Sequence, residues 1–258
     1  MNTTIDLGFV QMMLAFVFVL LVLGIIKANG IRREKEILAA SLRMTLQLIL
    51  AGLVLGFVFG RPSPPATLAI IALMESFAIF TVFNKFKGLL SERLKKVIAA
   101  SMSLGTLSCL LYFLFVVVRI YPWYNPQYFI PIAGMLVGNS MTGISLGVNS
   151  LLEGMRTRRS LVEEALVLGA TPQMAARQII NSTFDAAIMP TVNSMLGMGI
   201  VFLPGMMTGQ ILSGTMPNTA VAYQIAIMFG ILGAVSFSVI LLLLWGYRSF
   251  FNDEDQLL

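Results

Sequence analysis

Apolar residues fall in long runs along this chain, and short stretches between the runs hold nearly all of the charge. Seven runs approach or exceed the roughly 17–25 residues that a helix needs to cross a bilayer. They lie at about 7–26, 37–59, 66–83, 97–118, 129–148, 187–203 and 220–245. The pattern predicts an all-α, polytopic membrane protein of about seven transmembrane helices, forming a single transmembrane domain over 1–258. The first run has no basic stretch ahead of it and no small-residue cleavage site after it, so it reads as a retained span.

The runs are not alike. The second carries Arg43 and Gln47 in its first turns, then Gly52, Gly56 and Gly60. Such a ridge suits either the close approach of another helix or plain tolerance of glycine in a membrane helix. The third holds Glu75 near its middle. A carboxylate there is disfavoured by about 2.5–3.5 kcal/mol on insertion scales and faces an interior or a watery cavity. Glu75 is thus a candidate for a transport pathway, or for an internal bond to Arg43 or to a neighbouring helix. The fifth run holds Pro131, four glycines, Asn139, Ser140, Thr142 and Ser145. A span so rich in small and polar groups packs against other helices or lines a pathway, and does not face lipid. Pro190, Asn193, Ser194, Gly197 and Gly199 interrupt the sixth, and 203–210 breaks or turns it. Breaks at membrane depth sit beside protein or water and mark candidate gates.

Between the fifth and sixth spans, 153–185 is helical in pattern without being uniformly apolar. Leu161, Val162, Ala165, Leu166 and Leu168 recur at helical spacing, with Glu163 and Glu164 among them. Gly169 fits the end of that helix, Thr171 the N-cap of the next, and Pro172 its first turn. This helix–break–helix suits a groove on a partner protein, the membrane surface, or the chain's own body.

Charge decides the orientation. Lys and Arg number four, five and four in the loops after the first, third and fifth spans, against one, one and none in the others. The positive-inside rule places the rich loops in the cytoplasm, with the N-terminus outside and the C-terminus cytoplasmic. Tyr121, Trp123, Tyr124 and Tyr128 read as an interfacial belt. The net charge of +5 therefore belongs to the bilayer and not to nucleic acid, and charged residues make up only 11% of the chain, too few for a soluble domain.

Other chemistry is excluded. The chain has no histidine and one cysteine, Cys109, so histidine-based catalysis and an internal disulfide are impossible. No G-x-x-x-x-G-K-[ST] phosphate loop occurs, so the chain does not hydrolyse ATP by that route and does not read as an enzyme. Oxygen ligands for a metal ion in transit are Glu75, Asn139 and Asn193. Met206 and Met207, with Met135, Met141, Met195 and Met198, offer thioethers, and their plainer reading is adaptable packing.

Glu163, Ala165, Gly169 and the later Ile188-Met189-Pro190 resemble the "EAA" loop of ABC-transporter permeases, with Glu164 where Ala is usual. More specific blocks follow in order: Pro131-Ile132-Ala133-Gly134-Met135-Leu136-Val137-Gly138-Asn139-Ser140-Met141, Leu168-Gly169-Ala170-Thr171-Pro172, Pro190-Thr191-Val192-Asn193-Ser194, Leu203-Pro204-Gly205-Met206-Met207-Thr208-Gly209 and Tyr223-Gln224-Ile225. Together they are similar to the FetB-type permeases, a family linked to bacterial iron export and, in plants, to aluminium tolerance. The resemblance implies a multi-pass subunit in the bacterial cytoplasmic membrane that exports iron or a related metal. It implies a separate ATPase subunit, two permeases assembled with two ATPases, and ATP used only by the partner, with no cofactor in this chain. Glu163, Glu164, Leu166, Gly169, Thr171 and Pro172 would then couple to the ATPase. Import of another small solute, and secondary transport coupled through Glu75, stand as alternatives.

Overall fold

The computed structural model describes residues 8–258; Leu7, where the first predicted run begins, lies outside the described residues. Ten helices follow, and no strand forms among the described residues. Helices α1 (Phe9–Ala28) and α2 (Glu34–Gly60) make a hairpin. α3 (Pro64–Lys85) starts on two prolines, whose fixed φ suits a first turn. α4 (Glu92–Tyr112) is capped by Ser91, whose Oγ accepts from the Leu94 N–H at 3.2 Å, and it widens into a π-helical turn over Phe113–Val118. α5 (Pro126–Thr157) has Asn125 as its cap and Pro126 in its first turn. Then come α6 (Arg159–Val167), α7 (Pro172–Ala175), α8 (Arg177–Gly197), α9 (Gly205–Leu212) and α10 (Pro217–Gly246), the last ending in a 3₁₀ turn at Tyr247–Phe250.

The core lies where α4, α5 and α10 meet, with α3 and α8 laid against α5. Leu94, Ile98, Leu136, Ile144, Val235, Val239 and Leu242 are buried there. α4 and α10 come close enough that a Cβ on Gly105 would run into the backbone and hydroxyl of Ser238. In contrast, α1 buries no side chain and α2 only Val58, as befits apolar helices whose solvent is lipid. Gly52, Gly56 and Gly60 meet nothing within 4 Å of where a Cβ would stand, so no helix of this chain uses that ridge.

Side-chain contacts sort the helix ends. The N-terminal part of α4, the C-terminal parts of α5 and α10 and the start of α8 converge, through Gly246 with Leu94 and Leu151 and through Gly154 with Ile179. Phe86 and Leu89, after α3, share a groove with Leu152 and Glu153 of α5 at the same end. The loops after α3 and α5 therefore gather at one end, and the Arg43 guanidinium over the Phe77 ring sets the first half of α2 beside the second half of α3, which brings the basic α1–α2 loop toward that same end. The opposite end holds the start of α3, where Thr67 Oγ1 donates to the Tyr124 carbonyl at 3.0 Å.

Among the described residues, six helices are long and apolar enough to cross a membrane. The sixth predicted run, 187–203, is not among them. Its helix is α8, which begins ten residues earlier than expected and stops at Gly197. Pro190 does not interrupt it: the proline sits on the exposed side of the helix, and Ser194 Oγ donates to the Pro190 carbonyl at 2.9 Å. The break comes instead at 198–204, where Gly199 takes φ +85°, a left-handed value that favours glycine. α8 nevertheless runs from the basic end to the far end, where Met198 meets Gln224 of α10. Its composition is mixed, and it is packed along α5 and α10. The expected connecting stretch 153–185 is correspondingly shorter, because α5 continues to Thr157 and α8 has begun by Arg177.

Candidate functional site

One face of α5 stays uncovered within the chain. Asn139, Thr142, Asn149 and Glu153 recur on it at spacings of three, seven and four, all exposed. The neighbouring faces of α5 are occupied, by α8 on one side and α3 on the other. α8 lies antiparallel on α5, in a register set by Gly147 against Ala187, Ser150 Oγ 3.2 Å from Thr183 Oγ1, and Gly154 against Ile179. The same register brings Asn193 level with Asn139, and Ser182 level with the turn of Asn149. Ser182, Asp185, Met189 and Asn193 are exposed on α8. Two spans thus present polar groups from one end of the bundle to the other. Asn139 Nδ2 and Thr142 Oγ1 donate to the Met135 and Gly138 carbonyls at 2.8 and 3.1 Å, so the amide oxygens and carboxylates of this face are the groups that lipid would leave unsatisfied and that face a protein interior or water.

Glu75 stands elsewhere. It is 6% exposed on α3, and Thr106 Oγ1 of α4 shares its one proton between Glu75 Oε2 at 3.0 Å and the Met102 carbonyl at 2.7 Å. Its Oε1 is buried without a partner. Arg43 is not its counter-charge; the Arg43 guanidinium lies over the Phe77 ring at 5.3 Å. Of the two internal partners open to Glu75, the neighbouring helix is the one that bonds it, and the carboxyl stands apart from the exposed face that carries Asn139 and Asn193. Among the described residues, no group of three metal-ligating Asp, Glu or Cys side chains is gathered anywhere.

The methionines divide. Met135, Met141, Met195, Met198 and Met206 pack against the main core, the plainer reading of them. Met198 Sδ accepts from the Gln224 amide at 3.8 Å, which ties the 198–204 turn to α10. Met207 is half-buried on α9 beside Met206.

At the basic end, the helix–break–helix forms as the sequence predicts. α6 closes at Val167, and Gly169 turns the chain with φ +88°. Thr171 Oγ1 accepts from the Met174 N–H at 3.4 Å, and Pro172 opens α7. Val162 is buried with Met155, Ala176 and Ile179, while Leu166 is half-buried beside them. The tip points the other way: Val167 and Leu168 are each 87% exposed. Glu163 is held by Arg159, whose Nε lies 2.8 Å from its Oε1, and Glu164 is exposed.

Two features escape a reading of the sequence. The polar face continues through Asn149, Glu153, Ser182 and Asp185, beyond where hydropathy ends the spans; the recurrence of polar residues every three or four positions is the signal that extends it. The second is at the C-terminal end. Phe250 to Leu258 folds back on itself, with Phe251 and Leu257 paired across a turn, and Phe251 is 2% exposed beneath α6. Nothing in its mixed charge announces this.

The model of a family described as "Uncharacterised protein family (UPF0014)" matches residues 9–251. A UPF0014 membrane protein of Synechocystis is 36% identical over 92% of this chain and 91% of its own. The "Probable iron export permease protein FetB" of Escherichia coli is 32% identical over 95% of this chain and 92% of its own. "Protein ALUMINUM SENSITIVE 3" of Arabidopsis thaliana is 34% identical over 97% and 90%. No solved structure matches.

Proposed function

Given that the chain belongs to the UPF0014 family of membrane proteins, we propose that it is the permease subunit of an ATP-driven transporter that moves iron or a related metal ion out of the bacterial cytoplasm. The observation that carries this reading is the polar face of α5 and α8, which leads through the membrane to an end bearing an exposed apolar turn. The basic end is the cytoplasmic one, because basic loops are retained there. The tip at Val167 and Leu168 docks the ATPase subunit, and the α6–α7 turn transmits its closure to α5 and α8. Gly169, Thr171 and Pro172 shape that turn, and Glu163, Glu164 and Leu166 set its surface and its seat. A second copy of the chain faces the polar face, so that two permeases and two ATPases enclose a wet pathway. Asn139 and Asn193 line it and hold the ion in passing, with Met207 toward its outer mouth. The metal is named from the FetB relative, whose printed name assigns iron export.

Iron uptake into inside-out vesicles that hold this chain and its ATPase tests the reading. Uptake that needs ATP, and that falls at least about tenfold in Asn139→Leu with Asn193→Leu while ATP hydrolysis persists, is the expected result. Uptake driven by a pH gradient with an inactive ATPase, and lost in Glu75→Gln, would replace it with secondary transport. ATP-dependent iron movement in right-side-out vesicles would reverse the direction. Steady ATP hydrolysis with no iron movement either way would remove iron as the cargo.

A further inference from the structure

The α6–α7 turn does not stand alone at its end of the molecule. The C-terminal hairpin is built against it. Phe251 is sunk among Val162, Ala176 and Ile179, so a bulky ring pins the hairpin to both arms of the turn. Arg159 bridges the two pieces, giving Nε to Glu163 and Nη1 to the Leu258 carbonyl at 3.1 Å. Inside the hairpin, Asn252 Oδ1 accepts from the Glu254 and Gln256 N–H groups, which fixes the tight turn between them. Between hairpin and turn runs a groove of about 560 Å³. Leu166, Val167 and Pro172 wall one side and Leu257 the other, and three acids line it: Glu163 is paired with Arg159, Asp255 lies 3.8 Å from Arg248, and Glu254 has no ion pair among the described residues. Among the described residues, no Lys or Arg lines the groove itself.

The sign of that charge is out of keeping with its surroundings. The loops at this end carry thirteen Lys and Arg, the sum of four, five and four. An anionic inner leaflet attracts such loops and repels an acidic groove, so the groove is not a surface for lipid headgroups. A protein that arrives with a basic side chain flanked by apolar ones matches both its walls and its charge.

We propose that the groove between the α6–α7 turn and the C-terminal hairpin is a composite docking site, in which an Arg or Lys of the ATPase subunit is received by Glu254 while the Val167–Leu168 tip enters the ATPase. This rests on the permease reading above and adds the second wall of its contact. The hairpin is then part of the transmission, because Phe251 ties whatever grips the groove to α5 and α8 through Met155 and Ile179.

The test measures the affinity of the ATPase subunit for the purified full chain in lipid nanodiscs, at low and at physiological salt. Glu254 is in no ion pair among the described residues, so Glu254→Lys reverses a charge without undoing the hairpin. Expected are a loss of about fivefold for Glu254→Lys and a smaller loss for Glu254→Gln, with a flatter salt dependence in both, as befits a charge contact at an interface rim. Glu92→Lys, an acid at the start of α4 paired only with Lys95, serves as the distant control and leaves affinity unchanged. Unchanged affinity in the two hairpin variants, with a large loss in Val167→Asp, overturns the composite site and leaves the permease reading standing. Unchanged affinity in all of them, Val167→Asp included, overturns both.

Discussion

At the scale of the residue, Glu75 shows what a carboxyl group does inside a helical bundle when no cation reaches it. Thr106 satisfies one oxygen and nothing satisfies the other. Removing the donor should therefore hurt more than removing the acid. Thr106→Val is expected to lower stability by about 1–3 kcal/mol, the range for orphaning a buried polar group. Adding Glu75→Met should recover much of the loss, since the double change leaves two apolar neighbours and no orphan. Thermal midpoints of the four proteins in detergent would check it, and simple additivity of the two losses would show that the bond carries nothing. Glu75 was visible in the sequence as a cost that had to be met; that Thr106 meets it was not, because thirty-one positions separate them and only packing joins α3 to α4.

At the scale of the element, the α6–α7 turn was legible almost residue by residue. Gly169, Thr171 and Pro172 each carry a local backbone demand, and local demands survive into the fold. Gly169→Val should test the turn itself. A Cβ there meets nothing within 4 Å, so the penalty is backbone strain alone, about 1–2 kcal/mol for a residue forced left-handed. The expected outcome is a thermal midpoint lowered by only a few degrees, with transport lost relative to ATP hydrolysis; Gly169→Asn, which tolerates that region better, should keep more coupling. α8 was the element misplaced by hydropathy. Its apolar stripe is short and its other side carries Asn181, Asp185 and Asn193, so a window that averages both faces ends the span where the average drops. The helix itself is decided by burial of Ile179, Thr183, Ala187 and Thr191 against α5, a tertiary fact.

At the scale of the whole molecule, the three basic loops share one end, and that end must lie on one side of the membrane. Cys109 is the lone native thiol and is only partly exposed, which makes the chain convenient for labelling once Cys109→Ala is in place. Leu168→Cys and Tyr121→Cys put single thiols at opposite ends, at positions 87% and 96% exposed. A membrane-impermeant maleimide applied to intact cells should label the second and spare the first. The reverse pattern would turn the molecule over and take the cytoplasmic docking of α6 with it.

The length of α5 has a mechanical meaning. Its 32 residues make a rod of roughly 48 Å, against a hydrocarbon layer of about 30 Å. The surplus projects toward the docking turn as a lever arm with its fulcrum in the bilayer. A swing of about 10° around the middle of such a rod displaces each tip by roughly 4 Å, close to the advance of one helical turn. Asn139, within a turn of the fulcrum, would move by less than about 1 Å, so a modest push beneath the membrane would open or close the two mouths of the polar face while its middle stayed in place, with no bond inside the helix broken.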